Sequence, residues 1–173
     1  MLTADVTFHS CGDDYHWIYV NGVLAGLNPT SNSCCNNVDV NIIPSTARVI
    51  GVSVLNTWGA GGWAGYFSDY SVVSDGSWKC TDVPQDDNGS WATVGYDDSS
   101  WSAPTQQDLS TFSSDLILIA CVQGYRLTTA KWLWTSRNWI TGQKIYCRKR
   151  SMFRLHSLLN VFIVTCINSA FFF

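Results

Sequence analysis

The chain has 173 residues, a length typical of one domain, with a formal net charge of −3 and 13% charged residues. Its acidic side chains are all aspartates, and this glutamate-free composition favours strands and turns over exposed helices. The basic residues are spread along the chain except at Arg148-Lys149-Arg150, so the charge argues against nucleic acid as a partner.

Short segments of alternating apolar residues, separated by turn residues, follow one another along the chain. The Asn21-Gly22 pair is the strongest hairpin signal, because both residues tolerate the positive φ that a two-residue turn requires. Turns at intervals of about 8–12 residues predict an all-β fold, an antiparallel β-sandwich of the jelly-roll type. The predicted strands cover Val6–Ser10, Tyr15–Val20, Val23–Leu27, Val38–Ile42, Arg48–Val54, Ala64–Ser68, Tyr70–Ser74, Trp78–Thr81, Leu116–Val122, Trp132–Thr135 and Lys144–Arg148.

A glycine-rich loop that carries two tryptophans, Asn56 to Trp63, interrupts the central part of this pattern. Indole faces stack on the apolar C–H faces of sugar rings, while nearby amide and carboxylate groups bond the sugar hydroxyls. We therefore predict a carbohydrate-binding site in which Trp58 and Trp63 stack on the ligand and Asn56, Asp13 and Asp14 make the polar contacts. The alternative is that one or both tryptophans belong to the core; of the two, we expect Trp58 to be exposed and Trp63 to be buried.

Most of the nine tryptophans must be buried in a single sandwich. The adjacent carboxylates Asp97 and Asp98 precede one of them, but neighbours on an extended chain point to opposite faces and do not form an acid–base pair. We expect Asp98 or Ser99 to cap a short turn there. The tryptophans assigned to packing are Trp17, Trp78, Trp101, Trp132 and Trp134.

Seven cysteines without a CxxC pair favour disulfides over a zinc site. Disulfides persist in oxidising compartments, so we predict an extracellular or cell-surface location. The preferred bridge joins Cys80 to Cys147, and a second joins Cys11 to Cys34 or Cys35. Buried free thiols are the alternative.

The acidic loop from Asp82 to Asn88 offers several oxygen donors, but Pro84 occupies a carboxylate position of the EF-hand pattern. We therefore predict no metal site there, and ordinary turn chemistry for Asp13-Asp14, where calcium would need ligands from a second loop. We expect no cofactor and leave a structural calcium ion open. The loop ends in the sequon Asn88-Gly89-Ser90, which predicts Asn88 as an N-glycosylation acceptor.

The chain lacks the sequence signatures of common catalytic sites. It has no glutamate pair, no GxSxG, no HExxH and no glycine-rich phosphate loop before a helix. A nucleophile made of Cys11 and His9 would place two catalytic groups two residues apart on one strand, and Cys11 is better used in a bridge. We therefore predict that the protein is not an enzyme.

The two ends differ in character from the middle of the chain. Residues 1–5 enter the first strand pattern directly, so we expect no signal peptide here. Leu158–Phe173 carries no charge and is slightly short for a membrane span. We predict a domain over residues 4–150 and a hydrophobic tail over residues 151–173. That tail is a membrane or lipid anchor, a core element, or, as we favour, an artefact of a truncated or misread transcript; a membrane partner enters only through it.

Seven short blocks follow one another within residues 4–150, and their order carries more weight than any one of them. They are Tyr19–Gly22, Ala47–Val54, Gly61–Tyr66, Ser74–Cys80, Tyr96–Trp101, Ala130–Thr135 and Tyr146–Arg148. In this order they resemble the galactose-binding-domain-like β-sandwich of glycosidase accessory domains and extracellular proteins. The resemblance implies a jelly roll of about eight main strands that binds glycans, proteins or membranes through loops at one end, with structural calcium in some members.

Two functions from different classes are therefore expected. The first is a carbohydrate-binding or adhesive module that uses the loops around Cys11–His16, Asn28–Asn37 and Asn56–Trp63. The second is a structural or protein-interaction accessory domain of a larger extracellular protein, with no small ligand. The partner is accordingly a glycan or an extracellular protein, and the exposure of Trp58 discriminates between the two functions.

Overall fold

The computed structural model describes residues 6–28, 36–44, 47–57, 61–108, 129–135 and 140–150. These ranges contain ten β-strands and a three-residue 3-10 helix, Ser90–Ala92, with no longer helix among them. The strands are β1 (Val6–Asp13), β2 (Tyr15–Val20), β3 (Val23–Asn28), β4 (Asn36–Ile43), β5 (Val49–Leu55), β6 (Gly62–Phe67), β7 (Lys79–Thr81), β8 (Thr105–Asp108), β9 (Lys131–Trp134) and β10 (Lys144–Arg150).

The strands form two five-stranded antiparallel sheets. The order in the first sheet is β4-β1-β6-β9-β8, and the order in the second is β3-β2-β5-β10-β7. Consecutive strands such as β4, β5, β6 and β7 alternate between the sheets, so the chain crosses from one layer to the other repeatedly. The described part of the chain is therefore a β-sandwich, as the sequence predicts.

The two sheets share one apolar core, because alternate side chains of each strand point to the same face. In the second sheet, Val52 and Val54 of β5 face this core and are fully buried. Phe8 and Trp63 reach it from the first sheet, and the ring of Trp78 lies between the layers at 6.4 Å and 4.7 Å from their respective ring centroids. Burial of these side chains holds the layers together, at about 25 cal/mol for each Å² of apolar surface removed from water.

A disulfide anchors the short edge strand β7 to β10. Cys80 and Cys147 lie directly opposite each other in the ladder between these strands, and their sulfur atoms are bonded. Both residues belong to the shared core. The preferred bridge predicted from the sequence is confirmed.

The Asn21-Gly22 turn joins β2 to β3 in the predicted manner. Asn21 has φ 49° and Gly22 has φ 86°, the positive values that a tight hairpin of this kind requires. The Asn21 Oδ1 atom also accepts hydrogen bonds from the backbone N–H groups of Arg48 and Val49, at 2.7 Å and 3.1 Å. The turn therefore also fixes the start of β5.

The segment between β7 and β8 covers the outer face of the second sheet. Trp91 of the 3-10 helix packs edge-on against Tyr19 and Tyr146, with ring centroids 5.1 Å and 5.4 Å apart. Gly51 of β5 makes this close approach possible, because a Cβ atom there would lie 2.8 Å from the Trp91 ring. The centre of the second sheet is therefore apolar on both faces, and every residue of β5 except the last is buried.

The structure corrects one predicted strand and adds another. Tyr70–Ser74 forms bends with a single isolated bridge, because Tyr70 has φ 57° and Asp69 accepts a hydrogen bond from the Ser71 backbone. The sequence pattern does not predict β8, because its residues are polar and show no apolar alternation.

Some predictions fall outside the described residues. They concern the strand at Leu116–Val122 and the hydrophobic tail over residues 151–173. Within the ranges that the structure describes, no helix has the length and apolar character needed to span a bilayer. The domain limits at residues 4 and 150 stay a prediction.

Candidate functional site

Three connections at one end of the sandwich are tied together by hydrogen bonds. The Asp14 Oδ2 atom, in the β1–β2 turn, accepts from the backbone N–H and the hydroxyl of Thr57, at 2.6 Å and 2.5 Å. Asn56 donates its backbone N–H to the Gln143 carbonyl at 2.9 Å, and its own carbonyl accepts from Gly142 at 2.7 Å. The described parts of the β1–β2, β5–β6 and β9–β10 connections are therefore held in one arrangement.

Four of the predicted ligand-binding residues lie at this end, and all four are buried. Asp13, Asp14, Asn56 and Trp63 expose between 0% and 6% of their surface. The Trp63 ring packs edge-on against Trp78 in the core and has no face left for a sugar ring. Asp14 and Asn56 support the loops from beneath. The fifth predicted residue, Trp58, lies outside the described residues.

The glycines of the tryptophan-containing loop accommodate core tryptophans. Gly62 has φ 147°, and a Cβ atom there would lie 2.1 Å from the Trp132 Nε1 atom. That indole N–H donates to the Gly61 carbonyl at 3.1 Å. A Cβ atom on Gly61 would in turn lie 2.8 Å from the Trp134 ring. The two glycines therefore leave space for buried indole rings next to the loop. The sequence of the loop alone does not predict this role.

Next to this loop end, the outer face of the second sheet carries two transverse rows of side chains. They come from β2, β5 and β10, whose residues lie opposite one another in the ladders. In that strand order the rows are Tyr15–Leu55–Lys144 and Trp17–Ser53–Tyr146. The first row lies at the rim, and its three residues are partly exposed.

Tyr15, Trp17 and Lys144 form what we call the aromatic patch. The Tyr15 and Trp17 rings are nearly parallel, with an interplanar angle of 18° and centroids 6.2 Å apart. The Lys144 Nζ atom lies 4.5 Å from the Trp17 centroid, which is a cation–π distance. The Asp87 carboxylate holds this ammonium group at 2.5 Å and is itself largely exposed.

Polar groups border the aromatic patch on the side of the β7–β8 segment. The Gln143 side-chain N–H donates to Asp82 Oδ2 at 2.9 Å, and both Asp82 and Asp87 are exposed. Partly exposed aromatic rings with carboxylates, an amide and an ammonium group around them are the groups that sugar-binding surfaces use. Trp17 is predicted from the sequence to pack in the core, so the patch is not predicted. The signal for it is the aromatic pair at positions i and i+2 of a predicted strand.

The buried part of the same face fixes the acidic loop beside the patch. The Tyr19 hydroxyl donates to the Asp87 carbonyl at 3.4 Å, and the Tyr146 hydroxyl donates to the Gln85 carbonyl at 3.3 Å. Burial, and secondly the nearby negative charge of Asp87, raises the pKa of Tyr19 above its ordinary value. Tyr19 therefore stays neutral, and the two hydroxyl groups position the loop.

The remaining acidic-loop residues stabilise the turn before the 3-10 helix. The Asp86 carboxylate accepts from the Ser90 hydroxyl and backbone N–H, and the hydrogen bond from the Ser90 side chain lowers the pKa of Asp86. Asn88 Oδ1 also accepts from the Ser90 backbone at 2.9 Å. The Asn88 side chain is exposed, and its glycosylation stays a prediction.

The structure corrects the roles predicted for Asp97 and Asp98. Asp97 Oδ1 accepts from the Ser99 backbone N–H at 2.9 Å, so Asp97 caps the turn instead of Asp98 or Ser99. Asp98 instead forms ion pairs with Arg148 and with Lys79, the latter at 3.2 Å. The packing assignments of Trp78, Trp101, Trp132 and Trp134 are confirmed, because all four are buried.

A serine and a histidine meet inside the sandwich. The Ser10 Oγ atom lies 3.3 Å from His16 Nε2, a separation that a nucleophile and its general base also show. Both residues are fully buried, and burial lowers the pKa of His16 to about 4. A substrate therefore cannot reach this contact, which lies within the core.

In the ranges that the structure describes, no three His, Cys, Asp or Glu side chains come together as a metal site would require. Cys11 is buried on β1, opposite Asn37 of β4. Its predicted partners, Cys34 and Cys35, lie outside the described residues, so this bridge stays a prediction.

Comparison with known proteins returned no family model, no curated protein and no solved structure that matches this chain. The resemblance to the galactose-binding-domain-like group therefore stays a prediction. What supports a function is the local arrangement of side chains.

Proposed function

We propose that this protein is a non-catalytic extracellular binding module for carbohydrate, and that the aromatic patch is its contact surface. The observation that carries the proposal is the nearly parallel, partly exposed Tyr15–Trp17 ring pair with charged and amide groups around it. The galactose-binding-like jelly roll is the fold group to which we assign it, in line with the two-sheet architecture.

The chemistry of the patch suits a sugar better than an apolar ligand. Tyr15 offers a partly exposed ring for the C–H face of a pyranose, while Trp17 extends the apolar area beneath it. Asp82 and Asp87 are acceptors for hydroxyl groups, and the Lys144 ammonium group is a donor. Because these polar groups surround the rings, a ligand must have both an apolar face and hydroxyl edges.

One observation supports the non-catalytic part of the proposal. The Ser10–His16 contact is sealed in the core, so it is not available to a substrate. An extracellular location is supported by the Cys80–Cys147 disulfide, since such bonds persist in oxidising compartments.

A glycan array probed with the full chain, with calcium and with a chelator, tests the proposal. The glycan with the strongest signal is then titrated against Tyr15→Ala, for which we expect an affinity loss of at least about tenfold, or about 1.4 kcal/mol. Tyr70→Ala is the matched control, because Tyr70 is a 59% exposed tyrosine associated with the other sheet. Silence across the array in both conditions, or an equal loss in the two variants, would contradict the proposal.

A protein-interaction role is the second candidate, and one observation favours it. The edge strand β3 exposes Val23, Leu24 and Leu27 by 69%, 46% and 44%. Apolar side chains along an edge strand invite pairing with another chain. An array without signals, together with self-association that Val23→Lys abolishes in sedimentation velocity, would favour this role over carbohydrate binding.

A further inference from the structure

A pocket lies beside β7 and β10, at one edge of the second sheet. It is at the end of β10 that is remote from the aromatic patch. Its volume is about 440 Å³, which is within the range of small-ligand sites. We call it the basic pocket. It is lined by Ser77, Lys79, Asp98, Arg148, Lys149 and Arg150.

The basic pocket carries an excess of positive charge in a protein whose formal net charge is negative. Four cationic side chains line it together with one carboxylate, that of Asp98, which is shared between Arg148 and Lys79. Lys149 has a second carboxylate nearby, Asp75, at 3.5 Å. Arg150 forms no ion pair with the carboxylates whose side chains the structure describes, and the Asp97 carboxylate attracts it only at longer range.

Arg148 is the buried member of this group. Its side chain is fully buried, its Nη1 atom pairs with Asp98, and its Nη2 atom donates to the Thr93 carbonyl at 2.6 Å. The Nε–H group is buried and has no acceptor among the described residues. Burial lowers the pKa of Arg148 although Asp98 acts in the opposite direction, so desolvation of this charge is not fully offset. A further negative group would offset it.

We propose that the basic pocket binds a tetrahedral oxyanion, a sulfate or phosphate group, and in particular the sulfate ester of a saccharide. Arginine and lysine side chains supply the charge-assisted donors that such groups accept, and the guanidinium fork matches two of their oxygens at once. The pocket is open to solvent, which leaves room for the rest of an esterified ligand.

This site is separate from the aromatic patch and does not depend on it. Lys144 and Arg150 are six residues apart on β10 and face the same side of the sheet. At a rise of about 3.3 Å for each residue, the two sites are about 20 Å apart. A failure of one proposal therefore leaves the other standing.

Isothermal titration of the full chain with a sulfated oligosaccharide derived from heparin tests the oxyanion site. Arg150→Gln removes one of the four cationic charges of the pocket at an exposed position, and we expect an affinity loss of at least about tenfold. Lys131→Gln is the matched control, because Lys131 lies on β9 of the other sheet and the same single charge is lost. Circular dichroism confirms that both variants fold.

The arms of the experiment identify the source of the oxyanion. Competition by inorganic phosphate or sulfate shows that the free anion occupies the pocket, while binding that only the sulfated saccharide supports assigns the ester. The de-sulfated saccharide is expected not to bind there. No binding of any of these anions, or an equal affinity loss in Arg150→Gln and Lys131→Gln, would overturn the proposal. If Arg150→Gln still binds a neutral glycan, the loss of oxyanion binding is distinct from a failure of the aromatic patch.

Discussion

His16 is a titratable residue that the sandwich holds in its neutral form. The ring is fully buried against the Gly12 backbone and contacts the Ser10 hydroxyl, and burial lowers its pKa from 6.5 to about 4. In the unfolded chain the same ring takes up a proton near pH 6.5. Protonation below that pH therefore favours the unfolded state, until the folded protein also protonates near pH 4.

We expect the free energy of unfolding to fall as the pH drops from about 6.5 toward 4. Protonation of His16 alone should account for a decrease of about 3 kcal/mol over this range. His16→Gln keeps a polar side chain near Ser10 and removes the titration. Urea unfolding of both proteins at about pH 7 and about pH 5 measures the effect, with a smaller difference expected for the variant. The lowered carboxylate pKa values of Asp75 and Asp98 act at lower pH and are common to both proteins. An identical pH dependence in the two proteins would contradict the assignment to His16.

The two tryptophans of the glycine-rich loop show which single-residue properties residue type does not predict. Trp58 and Trp63 look alike in the sequence, since both border the same glycine run, and residue type does not say which of them belongs to the core. The structure places Trp63 in the core, as expected, while the predicted polar contacts Asp14 and Asn56 turn inward to hold the loops. Asp and Asn at turns bond backbone groups as readily as ligands, and residue type alone does not separate the two uses.

At the scale of elements, the disulfide reinforces the attachment of β7 to the sheet, beside its ladder with β10 and the bridge between Cys80 and Ser102. This strand has three residues, lies at the sheet edge and pairs only with β10 among the described strands. Cys80 and Cys147 are 67 residues apart in sequence, so their bond removes much conformational freedom from the unfolded chain. The chain-entropy relation assigns about 4 kcal/mol to a loop of this length.

The double variant Cys80→Ser/Cys147→Ser should therefore unfold at a markedly lower denaturant concentration, with a loss of about 4 kcal/mol. Because β7 and β10 also form the basic pocket, the variant should bind the sulfated oligosaccharide more weakly. The control is the double variant Ser68→Ala/Ser71→Ala, which removes two exposed hydroxyls with one surface hydrogen bond each and should cost much less. A midpoint within experimental error of the unsubstituted protein would show that the bond does not stabilise the fold.

The strands themselves follow from the apolar alternation where one face is buried. Val49–Leu55 and Lys144–Arg150 are recovered within a residue or two, because their inward positions are aliphatic or cysteine. Thr105–Asp108 is missed because an edge strand of polar residues has no alternation to detect. Strand patterns also do not predict that Trp91 packs on the outer face of the second sheet. This packing depends on Gly51, which leaves space for an indole ring from a turn distant in sequence.

At the scale of the whole molecule, sequence patterning predicts two stacked sheets but not where the surface can bind. The loop end, which the sequence favours, is held by internal hydrogen bonds of Asp14 and Asn56. The partly exposed aromatic and basic groups lie instead on the outer face and edge of one sheet. Which residues share that face follows from the order β2-β5-β10-β7, and strand order is a long-range property that local patterns do not encode.

Ionic strength should separate the two proposed sites within the intact protein. Charge attraction in the basic pocket is screened as salt rises, whereas stacking of a neutral sugar on Tyr15 depends on contact and water exclusion. Between about 0.05 M and about 0.5 M sodium chloride, affinity for the sulfated oligosaccharide should fall by at least about tenfold, while that for a neutral glycan should stay within about twofold. Titrations at several salt concentrations measure both. Parallel salt dependence of the two ligands would contradict two independent sites on this sheet, because it would mean that both ligands rely on the same charges.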